Sequence, residues 1–253
     1  MQLDPTAQAA GVRLIARDTI GSTNAEALAL AREGDRGPLW VSARSQTAGR
    51  GRRGRAWVSE PGNLYASLLL TDPAPPERYP ELSFVAALAL HDAIGGRIPG
   101  LASRVVLKWP NDLLIDRNKF AGILVEGEGA SVAIGIGVNC VHHPAGTEYP
   151  ATDLAVAGVR ATPESLFGPL TAAMTVRLAQ WNRGSGFATI RAGWLSRAAG
   201  LGKPIRVKSG DGEVSGQFET IDDTGRLVLR REDGTMQTVT TGDVFPYVSL
   251  ARQ

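Results

Sequence analysis

Cysteine is almost missing from this chain: Cys140 is the only one among 253 residues. A single thiol excludes an internal disulfide and fits a reducing compartment, so a cytoplasmic location is expected. Cys140 closes the apolar run VAIGIGVNC, a setting that suits a buried, inert thiol better than a nucleophile. Histidine is scarce too, and His91 in a helical stretch and His142-His143 in a loop read as structural or solvated. No apolar run approaches the roughly 18 residues of a membrane span. The opening residues MQLDPTAQAAGVRL lack the charged-then-apolar build of an export signal, so no membrane association is expected. Repeats and low-complexity tracts are absent. With 43% hydrophobic and 21% charged residues, the composition excludes a disordered or fibrous chain. The length allows one sizeable core and a small second domain.

Net positive charge is concentrated in one place. The net charge is +2, yet residues 44–55 hold five arginines and no acid. Within them, GRGRRGR (49–55) packs four arginines and three glycines into seven positions. Such a loop suits a phosphate backbone, a nucleotide-binding turn or a mobile flap over a small anion. A nucleic-acid binder usually spreads basic charge over a face, because affinity grows with the phosphates neutralised. Confinement to one loop favours a single small anion. The glycines satisfy G-x-G-x-x-G, but that fingerprint needs a helix directly after it to hold pyrophosphate. Here AWVSEPGNLYASLLL follows, a turn and then a strand, so a dinucleotide fold is rejected.

The chain otherwise reads as alternating elements. STNAEALALAREG (22–34) predicts a short helix with Thr23 and Glu26 as its capping box and Gly34 as its stop. LWVSA (39–43) predicts a strand, and the mostly apolar NLYASLLL (63–70) predicts one buried on both faces. ELSFVAALALHDAIGG (81–96) predicts a helix packed on a sheet. RVVLKWP, DLLI, KFAGILVEGE and SVAIGIGVN predict four strands joined by tight turns such as Asp116-Arg117-Asn118. Helices are expected around 163–182 and 187–199, the first with Pro163 at its first position. Past residue 200, short strands punctuated by Gly-Asp-Gly, Asp-Asp-Thr-Gly and Glu-Asp-Gly predict a small antiparallel barrel of the SH3-like kind. The expected domains are therefore 1–199 and 200–253.

A second chemical candidate is VLKWPNDLLIDRNKFAGILVE (106–126), in which Lys108, Asn111, Asp112 and Lys119 interrupt apolar strands. A lysine in an apolar strand is costly unless it reaches water or finds an anion. Two lysines around an Asn-Asp pair suit phosphate oxygens and, through the carboxylate, a metal or a ribose hydroxyl. They suit equally a solvated lysine at each strand end beside a turn.

Taken together, STN (22–24), SQTAGRGRRGRAW (45–57), KWPND (108–112), KFAGILVE (119–126) and GIGVN (135–139) resemble the bacterial biotin–protein ligases in order and spacing, over about residues 18–250. That resemblance implies an α+β fold: a mixed sheet with helices like that of class II aminoacyl-tRNA synthetases, then the SH3-like barrel. It implies activation of biotin by ATP, with Mg²⁺, to biotinyl-5′-AMP and pyrophosphate. The biotinyl group then passes to a lysine of a biotin carboxyl carrier protein, of acetyl-CoA carboxylase or a related carboxylase. By the same resemblance, Lys119 and Arg52 are catalytic. Ser22, Thr23, Asn24, Gln46, Gly49, Arg50, Gly51, Arg52 and Lys119 bind biotin. Arg52, Arg55, Trp57, Lys108, Asn111, Asp112 and Asn139 bind ATP. Ser22, Thr23 and Gln46 also suit an uncharged cyclic urea by their own chemistry, although Ser22 and Thr23 equally suit helix capping. The family usually has Asp before Ser-Thr-Asn, where this chain has Gly21. Members that double as repressors carry an N-terminal helix-turn-helix. About 17 residues precede the motifs here, so no DNA binding is expected, and the enzyme would act as a monomer or homodimer.

Two rivals make different forecasts. A lipoate or octanoate ligase or transferase of the same fold would take an apolar acid and have no use for the basic loop. An Arg/Gly-loop RNA-binding module would show salt-sensitive RNA binding and no biotin-dependent pyrophosphate. Glycine freedom and arginine repulsion predict that residues 47–55 order on ligand binding. Trypsin should cut first between residues 50 and 55, and markedly more slowly with biotin and Mg-ATP. Equal cleavage in both states would show that the loop is not a flap.

Overall fold

The computed structural model describes residues 1–97, 100–210 and 212–246. A seven-stranded sheet comprises β1 (Arg13–Ile20), β2 (Leu39–Gln46), β3 (Leu64–Thr71), β4 (Val105–Lys108), β5 (Asp112–Ile115), β6 (Asn118–Glu128) and β7 (Ser131–Val138). Their spatial order is β1-β2-β3-β7-β6-β5-β4. β1 and β2 run parallel, and every other neighbouring pair is antiparallel. The helices are α1 (Pro5–Ala9), α2 (Thr23–Arg32), α3 (Glu81–Arg97), α4 (Pro163–Trp181) and α5 (Phe187–Leu195).

The period-two rule for strands divides this sheet into a packing face and a working face. Leu64, Ala66 and Leu68 of β3, Ala121 and Ile123 of β6, and Val132, Ile134, Ile136 and Val138 of β7 enter one core with α3 and α4. The alternate residues face the other way. Leu69 and Ala133 pack there against Ala27 and Leu28 of α2, while Tyr65, Gly122, Gly135 and Gly137 line a cavity. β3 is buried along both faces, as its mostly apolar run predicts.

Two elements escape the sequence pattern. β1 is a largely exposed edge strand whose charged residues break any alternation, and α1 is a single short helix. The cap of α2 also differs from expectation. Ser22, not Thr23, is the N-cap and accepts from the Ala25 amide at 3.5 Å. The Thr23 amide and hydroxyl turn instead to Gln46, and Glu26 pairs with Arg17. A serine outcompetes a threonine here because its backbone is extended while Thr23 is already helical. α4 opens as expected with Pro163 at its first position, capped reciprocally by Thr162 and Ser165.

Beyond residue 200 lies a five-stranded antiparallel sheet: β8 (Pro204–Ser209), β9 (Gly212–Ile221), β10 (Leu227–Arg230), β11 (Met236–Val239) and β12 (Asp243–Pro246), in the order β11-β10-β9-β8-β12. The expected second domain runs to residue 253, and its residues 247–253 lie outside the described ones. Its core is continuous with the first. Phe218 tilts against Trp194 at 6.5 Å, Trp194 meets Phe84 edge-on at 5.3 Å, and the Trp109 indole donates to the Gly225 carbonyl at 2.9 Å. The small sheet is thus held at a fixed place beside the β4–β5 hairpin, which brings β12 to the cavity.

Phe218 is 1% exposed at this junction. Phe218→Ala should lower stability by about 3–5 kcal/mol, the usual cost of emptying a large aromatic site. Urea denaturation should still show one transition, because both sheets share a core. Two separate transitions in the wild type would contradict the shared-core description.

Candidate active site

A cavity of about 350 Å³ opens on the working face. Its walls come from the start of α2, the arginine loop, β6, β7, residues 144–151 and β12. Of the residues singled out from sequence, Ser22, Thr23, Asn24, Gln46, Arg50, Gly51, Arg52, Arg55, Trp57, Lys108, Asn111, Asp112, Lys119 and Asn139 all line it. Gly49 is not part of the lining. Its carbonyl accepts from the Trp57 amide, and a Cβ there would lie 2.5 Å from Ser59 Oγ and the Trp57 carbonyl. Glycine is needed at the base of the loop for packing, behind the cavity wall.

Asp112 organises the charges. β4 and β5 set Lys108 directly across from it, and Lys108 Nζ donates at 3.0 Å. Lys119 reaches the other oxygen at 2.5 Å. Strict alternation along β6 would turn Lys119 the same way as Ala121 and Ile123, into the core. A register shift prevents this: Leu113 pairs with Ala121 but Leu114 with Lys119, so Phe120 is bulged out of the ladder. Phe120 fills the core, and Lys119 lands on the face of Asp112. Burial opposes ionisation of Asp112, but Lys119 and then Lys108 outweigh it and hold the carboxyl well below the usual range. The buried lysine expected to need an anion has an internal one. Asp112 thus stands between two lysines, one at each carboxylate oxygen.

The arginine loop has a definite shape. Arg50 and Ala56 form an antiparallel bridge, and residues 52–54 make a tight turn with Arg53 and Gly54 at positive φ. A strand, β3, follows, so the nucleotide-helix reading is excluded by geometry as well. Acidic partners offset the repulsion among the arginines. Arg55 makes two bonds to Asp243, at 2.9 and 3.1 Å, with Arg53 at 3.5 Å and Arg52 at 3.8 Å. Arg50 pairs instead with Glu126 at 3.1 Å. Arg52 also donates to Asn111, Thr241 and the Gly242 carbonyl, which ties loop, hairpin and second sheet together. Burial lowers the Arg52 pKa, with Asp243 and Asp112 acting against that.

Small residues make the cavity floor. A Cβ on Gly137 would lie 2.7–2.8 Å from three atoms of the Trp57 indole, and one on Gly122 would be 2.9 Å from the same ring. Trp57 therefore lies flat on β6 and β7, with Lys119 Nζ 5.3 Å from a ring centroid. Asn139, almost fully buried, donates to the Thr152 carbonyl at 3.0 Å.

Several lining residues were not legible in sequence. Tyr149 sits under Lys108, with Nζ 4.4 Å from its centroid, and against Phe245. Residues 150–152 are fastened to Lys119 through backbone bonds of 2.8 and 2.9 Å. Asp243 and Phe245 arrive from the second sheet. Only the acidic partner demanded by so many arginines could have been anticipated, not its position. Cys140 is fully buried, its thiol pushed up to about 12 by that burial, which accords with an inert role. His143 pairs with Asp153 and does not line the cavity.

Comparison with known proteins bears on this cavity. The model of the biotin/lipoate A/B protein ligase family matches residues 19–140, and that of the biotin protein ligase C-terminal domain matches residues 200–246. The chain is 46% identical over 235 residues to the biotin–[acetyl-CoA-carboxylase] ligase of Paracoccus denitrificans, spanning 88% of this chain and 96% of that one. It is 33% identical over 237 residues to the bifunctional ligase/repressor BirA of Bacillus subtilis, spanning 88% and 71%. Among solved structures, the biotin protein ligase of Aquifex aeolicus in complex with biotin and ATP matches with a TM-score of 0.77 at 25% identity, covering 92% of this chain and 97% of that one.

The buried triplet makes a pH-dependent forecast. Asp112→Asn leaves two lysines without their carboxylate and should cost about 3–5 kcal/mol at pH 7. Because the folded pKa of Asp112 is depressed, its contribution is complete above the unfolded value of about 3.9 and is lost as pH falls toward the folded one. Urea denaturation of both proteins at several pH values should show the gap closing only in acid. A gap that closes near neutrality would assign the effect to another group.

Proposed function

The chain belongs to the biotin–protein ligase family, and from that membership we propose how its cavity joins biotin to ATP and then to a carrier lysine. The enzyme activates biotin and transfers it to its carrier protein. The single observation that carries the assignment of this cavity is its charge. Five cationic side chains line it (Arg50, Arg52, Arg55, Lys108, Lys119) against three carboxylates (Asp112, Glu148, Asp243). Two anionic reactants that would otherwise repel each other, a carboxylate and a triphosphate, are stabilised side by side in such a place.

Biotin's ureido ring lies at the α2 end, among Ser22, Thr23 and Gln46. Its carboxylate points to Lys119. The carboxylate oxygen attacks the α-phosphorus of ATP, the bond to the β-phosphate oxygen breaks, and pyrophosphate leaves. Lys119 Nζ stabilises the charge that builds between the two reactants, and Arg52 and Arg55 hold phosphate oxygens once these compete with Asp243. Trp57 and Asn139 serve the nucleoside, with Lys108 and Asn111 behind the phosphates. Asp112 acts by holding both lysines in place, not by touching the nucleotide. In the second half-reaction the carrier amine attacks the acyl carbon, AMP leaves, and the amine sheds a proton. The carrier is the biotin carboxyl carrier protein of acetyl-CoA carboxylase or of a related carboxylase.

Mg²⁺ enters with the triphosphate as part of the substrate. Among the described residues no group of three or more His, Cys, Asp or Glu is arranged to hold a metal ion. Asp112 and Asp243 are already engaged by cations, so the residues present do not form a resident metal site. The 1–199 and 200–253 units divide the work: the first carries the chemistry, and the second supplies Asp243 and Phe245 to the rim. Arg50, Arg52, Arg55, Lys108 and Lys119 converge on the cavity, which suits a small anion better than a nucleic-acid track.

Pyrophosphate release in the presence of Mg-ATP and one acid at a time tests the substrate. Biotin should support it, with lipoate and octanoate inactive or far slower; equal rates with either would overturn the biotin assignment. Lys119→Ala should slow adenylate formation by two to three orders of magnitude, equivalent to about 3–4 kcal/mol of lost charge stabilisation. Wild-type turnover in that variant would remove Lys119 from the mechanism.

A further inference from the structure

After β7 the chain makes a closed loop, residues 141–151, whose two feet are bonded to each other. The Leu154 amide donates to the Asn139 carbonyl and the Ala155 amide to the Cys140 carbonyl, each at 3.0 Å. The far foot is tied to β6 as well, Thr152 donating to Lys119 at 2.9 Å and Lys119 to Pro150 at 2.8 Å. Between the feet, among the described residues, residues 141–149 form no backbone–backbone hydrogen bond. A segment with so few bonds of its own takes its position from its ends. That position matters, because Thr147, Glu148, Tyr149 and Ala151 are part of the cavity wall.

One side chain holds the near foot. Asn63 stands just before β3, almost fully buried, and is not part of the cavity lining. Its Oδ1 accepts from three successive backbone amides, those of Cys140 at 2.8 Å, Val141 at 3.0 Å and His142 at 3.3 Å. Its Nδ2 donates to the His142 carbonyl at 2.9 Å. Amides aimed at one point can face only an acceptor, and the carbonyl beside them only a donor, so the orientation of the Asn63 amide is fixed. Successive N–H groups that converge in this way form a small concavity of positive potential. Gly62 completes the fit: its φ is +107°, and a Cβ there would lie 2.7 Å from Val141 Cγ2. The last backbone pair of β3 and β7 is Leu64 with Val138, and Asn63 continues that pairing with its side chain. Two contacts act further along the loop, His143 with Asp153 at 2.7 Å and Lys208 with Glu148 at 2.8 Å. The second is exposed and therefore weak.

We infer that Asn63 is a positioning residue for nucleotide binding: it gathers the backbone of residues 140–142, sets the angle at which the loop leaves β7, and so decides where Tyr149 and its neighbours meet the nucleotide. This rests on the biotin–ATP reading of the cavity and extends it to a residue outside the lining. In that reading the ring of the acid lies among Ser22, Thr23 and Gln46, none of which belongs to this loop. A displaced loop therefore weakens the hold on ATP and leaves the hold on biotin intact. Val141 and His142 are exposed, so water replaces Asn63 at their amides when the side chain is removed. The loss is felt in the placement of the loop more than in the stability of the fold.

The test is steady-state pyrophosphate release, with KM measured separately for ATP and for biotin. Asn63→Ala should raise KM for ATP roughly tenfold, the value of one well-placed hydrogen bond, and leave KM for biotin unchanged. Asn63→Asp keeps an oxygen for the three amides, which favour a carboxylate there, and loses only the donor to His142. It should recover most of the affinity, with KM for ATP raised roughly threefold. A residue that only supports the fold would behave otherwise: fewer folded molecules lower kcat and leave both KM values alone. An unchanged KM for ATP in Asn63→Ala, equal rises for ATP and biotin, or Asn63→Asp as impaired as Asn63→Ala would overturn the proposal. If Asn63→Ala does not fold, Asn63→Asp decides: a rise in KM for ATP alone supports the role, and no rise, or one shared with biotin, sinks it. Biotin failing to support pyrophosphate release in the wild type would defeat the biotin reading itself, a result distinct from these.

Discussion

The pairing of Asp112 with Lys108 and Lys119 fixes three strands at once, because a buried carboxylate between two ammonium groups tolerates little displacement. Removing either neighbour would leave charge uncompensated in a place that water scarcely reaches. The β4–β5 hairpin supplies Lys108 and Asp112, while the bulge at Phe120 supplies Lys119 from β6. Everything at the anionic end of the cavity follows from that arrangement. Lys119 is held against Trp57, Trp57 lies on Gly122 and Gly137, and Tyr149 closes over Lys108. The aspartate thus contributes order: it keeps two cations pointed into the cavity.

The arginine loop obeys the same physics at the rim. Four guanidinium groups in seven residues would disperse without counter-charges, and the fold supplies two, Glu126 to Arg50 and Asp243 to the other three. Asp243 belongs to the second sheet, so that sheet is a working part of the site. Its carboxylate holds Arg52, Arg53 and Arg55 together at the rim.

At the opposite end, beside α2, the lining is polar and tightly packed. Thr23, Asn24 and Ser67 are buried in one hydrogen-bonded cluster, where an unsatisfied contact is costly. Cations gather at one end of the cavity and buried hydrogen-bonding side chains at the other.

Much of this was readable from the chain alone. Period-two alternation in β6 and β7 separates Ile123, Ile134 and Ile136 from Gly122, Gly135 and Gly137, and the strands, α3, α4 and the short strands after residue 200 follow from such local patterns. So do the residue types that gather round an anion: the loop arginines, Lys108 and Lys119. The exposed edge strand β1 had no alternation to detect, and the Ser22 cap turned on one residue's backbone angle. Side-chain partners were beyond reach. Whether Lys108 meets a substrate or Asp112, whether Lys119 faces core or cavity, and why Gly49 is a glycine depend on register and on contacts between distant segments. A one-residue bulge reverses a side chain's face without changing the composition around it. Asp243 and Tyr149 carry no motif of their own. Each acquires its role from what lies across from it, and only the tertiary structure sets that, because long-range packing decides which buried charges and protons can be satisfied together.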